Sequence, residues 1–443
     1  MSAAAAETAT TGRPSSPEAA LSAFLSSLKT PATLLVAISG GSDSTGLLIL
    51  LKNLLRTSHR DHRLVAATVD HRLRQGSTEE ARWVADLCKH LDIPHDILDW
   101  TGAKPKTGIP AAARDARYRL LSDAAERMGA DAILTGHTLD DQIETVRMRA
   151  ERAAASGLGL AGMAPATLYG RRHWILRPLL GVRREAIRVA LRQQAAAWLD
   201  DPTNEDPRYE RVRVRRDALP FDETVIANAA ASRRTLCWAT ADWLQETVER
   251  LGDYVFRIGL PSPPAAAIAD DPVRRHALST LAAIAGGRSH RPQADSIDRL
   301  MTALDGGQDF RLTLAGALFV RRRNDLFCLR ERRGLLPLPL PAGTSVLWDG
   351  RYRLDNLGAV DLHIAAGHAP INDPSLPGTV KAALAGTHPF FHDFQGNPLA
   401  EPGLVRSNLH IALLDHMLPD FDLPLARAID RLVGRDETPF CPI

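Results

Sequence analysis

The sequence predicts an α/β protein whose N-terminal half is built on a parallel sheet. Three observations carry that reading. Short apolar runs alternate with helix-patterned stretches at a spacing of about 30 residues, as βαβ units do. The runs are continuously apolar, the pattern of strands covered on both faces. Gly, Ser, Asp and His cluster directly after these runs, at the strand carboxyl ends where such sheets bind ligands.

Taken in order, Met1 to about Pro17 is rich in Ala, Thr, Ser and Pro and is expected to be a disordered leader, with residues 1–28 lying outside the first domain. Residues 29–220 form the expected catalytic domain. Leu34–Ser39 is its first strand and ends in Gly40-Gly41, and Gly46–Arg56 is the helix that follows. Leu64–Val69 and Glu79–His90 repeat the pair, as do Asp96–Trp100 and Ala111–Met128. Ala132–Thr135 is a fourth strand, and Gly136-His137 opens a polar-capped helix. The pattern then changes, and residues 221–335 are expected to be mainly helical. Glu223–Arg250 and Pro272–Leu304 carry helical spacing, with a basic turn at Gly286–Pro292. Asp309–Arg330 reads as a β-meander turning at Asn324-Asp325. A Pro-rich linker, Gly334–Gly343, leads into residues 336–443, a small α+β or β-rich region whose fold the pattern does not assign.

Composition narrows the class of protein. The 443 residues, 45% apolar, suffice for two or three cores. No apolar run approaches the roughly 20 residues of a membrane helix, and the first residues lack a secretory pattern. Cys88, Cys237, Cys328 and Cys441 are far apart and form no CxxC pair, which excludes a zinc knuckle and fits a reducing cytoplasm. The net charge of +2 is a weak sign of a nucleic-acid partner. The cations are 48 Arg and 6 Lys, and Arg suits phosphate and base contacts. A coding bias toward Arg accounts for the ratio as well.

Four segments carry candidate chemistry. Ser39-Gly40-Gly41-Ser42-Asp43-Ser44 joins the first strand to the first helix. Its glycines let backbone approach a phosphate, and its hydroxyls and the helix-start amides form an anion site. No Walker Lys follows, and the form SGGxDS resembles the loop of PP-loop ATP pyrophosphatases, which cleave ATP between its α- and β-phosphates. Asp43 then suits a Mg²⁺ ligand or an orienting group for the loop; a plain Gly-rich turn with a Ser/Asp cap is the alternative. Asp70-His71, at the second strand's end, lie within reach of a nucleotide or sit on a surface turn. Arg114 and Arg117 share a helix face fit to hold phosphates, or are solvated beside Asp115. In Gly136–Thr145, Asp141 and Glu144 lie three apart near a helix start. They form an anionic seat for an ammonium group, while Thr138 with Asp141 also reads as a capping box.

In this order the four segments resemble the tRNA(Ile)-lysidine synthetase family of the PP-loop superfamily. Arg114, Arg117 and Tyr118 match its third motif. Ser156–Met163, Arg177–Leu180, Asp201–Asp206 and Tyr209–Arg216 match later ones. The resemblance covers about residues 30–220, with Val212 and Ala154-Ala155 departing from the pattern. Trp348–Arg351 is similar to a turn of the family's C-terminal region. The resemblance implies that ATP, with Mg²⁺, adenylates the first anticodon cytidine of tRNA(Ile) bearing CAU, and that L-lysine then displaces AMP. It implies ATP held by Ser39, Gly40, Gly41, Ser42, Asp43 and Ser44, with Asp70, His71, Gly136 and His137 around it. Arg114 would aid phosphate departure, and Asp141 and Glu144 would take the lysine. Arg117, Arg211, Arg213 and Arg215 are candidate substrate contacts, and a homodimer is expected. Further basic segments, Arg171–His173, Arg183-Arg184, Arg274–His276 and Arg288–Arg291, are candidate tRNA contacts. The rival classes are a tRNA thiolase, an amidating synthetase and a non-catalytic RNA-binding protein.

Overall fold

The computed structural model describes residues 16–73, 76–102, 104–152, 157–200, 214, 221–260, 271–368, 371, 373–374, 376–393, 395–398 and 403–443. Two compact units divide the chain: residues 1–231 with 440–443, and residues 232–439. Neither the expected boundary at 220/221 nor that at 335/336 coincides with the division. Among the described residues no helix is long and apolar enough to cross a membrane.

The first unit opens with a helix where a leader is expected. Ser16 caps α1 (Pro17–Ser27) by accepting from the Ala19 amide at 3.2 Å, and Pro17 suits the first turn. Ala20, Leu21, Phe24 and Leu25 recur at helical spacing and are buried, so α1 packs against the domain. Composition concealed this, because the stripe is only one face of a short segment.

The parallel sheet follows as expected. Its elements are β1 (Thr33–Ala37), α2 (Ser42–Thr57), β2 (Arg63–Asp70), α3 (Ser77–His90), β3 (His95–Asp99), α4 (Ile109–Arg127), β4 (Ala132–Thr135) and α5 (Leu139–Arg152). A hairpin the sequence pattern did not show, β5 (Ala166–Tyr169) and β6 (His173–Leu176), precedes α6 (Arg184–Gln193). The spatial order is β5-β6-β4-β1-β2-β3, with β6, β4, β1, β2 and β3 parallel. Leu34, Leu35 and Val36 of β1, and Ile133 and Leu134 of β4, are fully buried, as strands covered on both faces must be. Because β2 and β4 lie on opposite sides of β1, the chain leaves β1 and β4 toward a topological switch point, where a crevice forms at the carboxyl ends.

The division between units falls within α7 (Thr224–Thr247). The expected helix 223–250 ends here and continues as β7 (Val248–Gly252), which pairs with β8 (Val255–Gly259). Next come α8 (Pro272–Ala285), α9 (Ala294–Asp305), β9 (Arg311–Leu314), β10 (Ala317–Arg322) and β11 (Asp325–Arg330). The helices match expectation, and so does the meander, except that it turns at Arg323-Asn324, Asp325 already pairing with Arg322. The meander, however, joins the β7-β8 hairpin in a five-stranded antiparallel sheet, order β7-β8-β11-β10-β9, so a sheet stands beside the expected helices. Long-range pairing of β8 with β11 decides this, and no local pattern encodes it.

Beyond residue 336 lie β12 (Leu338–Leu340), β13 (Ser345–Trp348), β14 (Tyr352–Asn356), β15 (Leu362–Gly367), α10 (Gly378–Leu384), β16 (His388–His392), β17 (Val405–Leu409), α11 (Ala412–Asp415) and α12 (Leu423–Val433). Two three-stranded sheets result, β12-β15-β16 and β13-β14-β17. A buried polar knot ties this unit together. Asp349 accepts two bonds from Arg330 at 2.8 Å and one from Arg351 at 2.6 Å. The Arg351 guanidinium lies over the rings of Tyr254, Trp348 and Tyr352 at 5.2–5.9 Å.

Candidate active site

Ser39–Ser44 leaves β1 and folds back on itself. Gly40 takes φ +86°, a backbone conformation that L side chains rarely adopt, so the turn favours glycine, and the Leu199 side chain packs close over it. Ser44 Oγ receives the Ser39 amide at 3.1 Å and donates to the Gly41 carbonyl, while Thr45 Oγ1 donates to the Gly40 carbonyl. The loop is therefore held from within. The N-cap of α2 is Gly41, which has no side chain to spend on the first-turn amides. This leaves a helix start suited to an anion rather than a Ser/Asp cap.

Gly136, at the end of β4, is pressed against this loop. A Cβ at Gly136 would lie 2.9 Å from the Asp43 carbonyl carbon and oxygen and from the Ser44 nitrogen, all backbone atoms. Glycine at this strand end is what lets the two switch-point loops touch. His137 bonds through Nδ1 to Thr135 Oγ1 at 2.8 Å.

Four carboxylates gather beside the contact. Asp141 Oδ2 accepts from the Thr138 amide at 2.8 Å and from its hydroxyl at 2.9 Å, so the capping box is real. Its other oxygen, Oδ1, accepts from Arg184 Nη2 at 3.2 Å. Arg184 Nε donates to Asp43 Oδ2 at 2.8 Å, and Nη1 lies 3.9 Å from Glu144 Oε1. The Arg184 amide donates to Asp140 Oδ2 at 2.8 Å. Capping and clustering thus coexist: Asp141 serves both, one oxygen to each. Burial, with Asp141 nearby, raises the Asp43 pKa against the pull of Arg184.

A cavity of about 540 Å³ opens on the other side of the loop, bounded by the ends of β1 and β2. Ile38, Ala67, Val69, Leu121 and Leu199 give it an apolar part, and Ser39, Thr68, Asp70, His71, Ser77, Glu80 and Arg117 bring polar groups to it. That size and lining suit a nucleoside. His71 stands edge-on to Trp100, and its Nδ1 is buried with no hydrogen-bond partner among the described residues. Burial and the Arg117 charge lower its pKa, keeping the imidazole neutral and able to bond a base or ribose. Asp70 is spent within the protein. Its oxygens accept from Ser77 Oγ, the Arg72 amide and Thr78 Oγ1 at 2.8–2.9 Å, and these bonds hold its pKa low against burial. It shapes the turn into α3, and His71 faces the cavity from that turn.

Among the described residues no set of three or more His, Cys, Asp or Glu is arranged to hold a metal by itself. Asp43 is nonetheless a hard oxygen donor beside a phosphate loop, which fits Mg²⁺ held jointly by one carboxylate and phosphate oxygens.

The model of the PP-loop domain family matches residues 15–221. A tRNA(Ile)-lysidine synthase of Mesorhizobium japonicum is 41% identical over 92% of this chain and 93% of its own. The namesake of Rhizobium meliloti is 39% identical over 95% and 96%. The chain belongs to the tRNA(Ile)-lysidine synthase family. A further member, from Brucella anthropi, is 38% identical over 90% of this chain and 94% of its own. The similarity therefore runs through both units, well beyond the residues that carried the resemblance in the sequence.

Within this family frame, the structure brings Asp43, Asp141 and Glu144 together, and Ser39, Gly41, Asp70, His71 and Arg117 to the cavity. Arg114 is exposed over the Tyr118 ring, outside the cavity lining. Arg211, Arg213 and Arg215 lie outside the described residues, as do Ala154-Ala155 and Val212. Several basic candidates for tRNA are otherwise engaged. Arg184 is turned into the acid cluster, and Arg172 pairs with Asp123 and Glu126. His276 is buried against Thr240, and Arg291 turns its guanidinium inward to Thr280. Each was read from charge alone, which does not say where a side chain points.

Sequence reasoning gave Arg184 a different role and missed three further residues of the site. Arg184 and Arg188, one helical turn apart on α6, both reach the loop, Arg188 Nε lying 3.3 Å from Ser42 Oγ. Gln142 clasps Met163 through both backbone groups at 2.6 and 2.9 Å, and Arg149 bonds the Gly159 and Gly162 carbonyls. These two tie the Gly157–Met163 stretch to α5. A usable signal existed: Gln142 and Arg149 are seven residues apart on α5 and so share a helix face.

Proposed function

We propose that this chain joins the ε-amino group of free L-lysine to C2 of the first anticodon cytidine of tRNA(Ile) bearing CAU, consuming ATP and releasing AMP and pyrophosphate. The observation that carries the reading is the convergence of Asp43 with Asp141 and Glu144 at a phosphate-cradling loop, beside a nucleoside-sized cavity. A nucleotide with its base in that cavity has its phosphates led over Ser39–Ser44 to the α2 amides. Mg²⁺ there would neutralise phosphate charge. The chain's own part is to hold the α-phosphate in line with the cytidine C2 oxygen, which bonds to phosphorus as the bond to pyrophosphate breaks. Arg117 and Arg188 stand near the path of that departing charge.

In the second half, the amine attacks C2 and the C2–oxygen bond to AMP breaks. Lysine arrives as an ammonium ion, which an anionic seat binds, yet only the neutral amine is a nucleophile. Asp141 and Glu144 meet both needs, first pairing with the cation and then accepting its proton. Arg211, Arg213 and Arg215 are proposed tRNA contacts; removing them should lower the salt slope of tRNA affinity.

The deciding experiment is incorporation of labelled lysine into a tRNA(Ile) transcript bearing CAU, with ATP and Mg²⁺, beside Asp43→Ala and Ser44→Ala. ATP-dependent incorporation that collapses in both variants is expected. Pyrophosphate release without lysine transfer would overturn the choice of nucleophile.

A further inference from the structure

Arg184 enters the acid cluster from the first turn of α6. Its guanidinium touches Asp43 at 2.8 Å and Asp141 at 3.2 Å and comes within 3.9 Å of Glu144. Its side chain is 19% exposed, and those of the three acids 20%, 14% and 7%. This one cation therefore bridges the acid of the phosphate loop and the acids of α5.

Both oxygens of Asp141 are engaged in this arrangement. Oδ2 holds the start of α5 through Thr138, and Oδ1 holds Arg184. An ammonium group carries only donors, as a guanidinium does, so both seek the same carboxylate oxygens. Arg184 holds the one oxygen of Asp141 that faces the cluster, so a lysine ammonium competes with it there and pairs most closely when Arg184 moves off. The phosphate loop supplies the means. Asp43 belongs to that loop, and Arg188, one turn along α6, already reaches Ser42. A guanidinium matches phosphate oxygens with paired bonds, and a triphosphate brings several negative charges to the Asp43 side of the bridge.

Resting on the function proposed above, we infer that Arg184 occupies the seat of the lysine ε-ammonium and is drawn off it by the nucleotide's phosphates, so that lysine binds tightly only after ATP. Arg184 is on this view a positioning residue that orders the two substrates. The coupling is reciprocal: lysine must tighten nucleotide binding by the factor by which nucleotide tightens lysine binding.

The test is lysine affinity, by calorimetry on the full chain, with and without a non-hydrolysable ATP analogue and Mg²⁺. In the wild type the analogue should strengthen lysine binding by at least about 5-fold, the lower end of ordinary coupling. Arg184→Ala should bind lysine without nucleotide nearly as well as the wild type does with it, bringing the ratio close to one. Arg184→Lys, whose shorter cation covers fewer of the acids, should give an intermediate ratio. Wild-type lysine affinity unchanged by the analogue overturns the inference, whatever the variants do. So does a folded Arg184→Ala protein that loses lysine affinity in both conditions, which would make Arg184 a mere support. If the wild type forms lysidine but shows no coupling, only the role of Arg184 fails; if it neither binds lysine nor forms lysidine, the proposed function fails.

Discussion

Asp141 shows how a single side chain can satisfy two demands that compete on paper. Its carboxylate divides, with Oδ2 on Thr138 and Oδ1 on the cluster cation. Capping makes it rigid, and rigidity keeps the second oxygen aimed. Glu144 has no capping duty, so its replacement separates chemistry from architecture. In Glu144→Gln the KM for lysine should rise roughly 10- to 100-fold, the cost of a lost charge-assisted bond, while pyrophosphate release persists. A parallel fall in both would move Glu144 to the phosphate step. In the second unit, burial of His276 pushes its pKa down to about 3, against 6.5 for an ordinary histidine. The unfolded chain then binds a proton that the folded chain refuses, so stability falls as pH drops from 6.5 toward 3. At pH 5 the loss from this group is about 2 kcal/mol. Melting curves at pH 7 and pH 5 should show a smaller acid loss in His276→Gln than in the wild type.

At the scale of elements, the site depends on how closely two strand ends approach. Gly136 closes β4 onto the backbone of Asp43 and Ser44, and backbone cannot swing aside as a side chain can. Gly136→Ala should displace the phosphate loop by a fraction of an ångström to an ångström, lowering kcat/KM for ATP on the order of 100-fold. Unchanged circular dichroism would accompany the loss; full activity would show that the contact can relax. The helix α6 matters for the same reason. Arg184 and Arg188 lie on one face because they are four residues apart, and that face meets the loop because α6 packs on α2, where Gly46 has Ile187 against it. A Cβ at Gly46 would lie 2.3 Å from Ile187 Cγ2, so the glycine sets the distance at which the arginines can reach.

Across the whole molecule, each unit is organised around buried charge. The first gathers its acids about Arg184; the second centres on Asp349, held by Arg330 and Arg351, whose side chains are 4% and 0% exposed. Removing one partner from such a set leaves the others buried without compensation, at a cost of roughly 3–5 kcal/mol. Asp349→Ala should therefore lower the melting temperature of the second unit sharply, and a shift within error would mean the arginines find other acceptors. The knot also explains the Trp348–Arg351 sequence. Asp349 and Gly350 take φ +53° and +67°, turning β13 into β14, and the turn presents Asp349 to both arginines.

Much of this protein is legible in its sequence alone. The parallel sheet of the first unit could be read because strands buried on both faces are continuously apolar, and local spacing shows it. SGGxDS could be read because the turn demands glycine at particular positions. Asp43 stands out because it lies in that turn, and Asp141 and Glu144 because they lie three apart near a helix start. The sequence did not show that Asp70 is spent on its own turn, that Arg114 stands outside the cavity, or that Arg184 faces inward. Nor did it show the joining of β7-β8 to a meander about fifty residues later, or the two small sheets beyond residue 336. The division has one physical cause. Turn chemistry and strand burial are properties of adjacent residues, whereas the direction of a long charged side chain and the partner of an antiparallel strand are decided by atoms that only folding brings near.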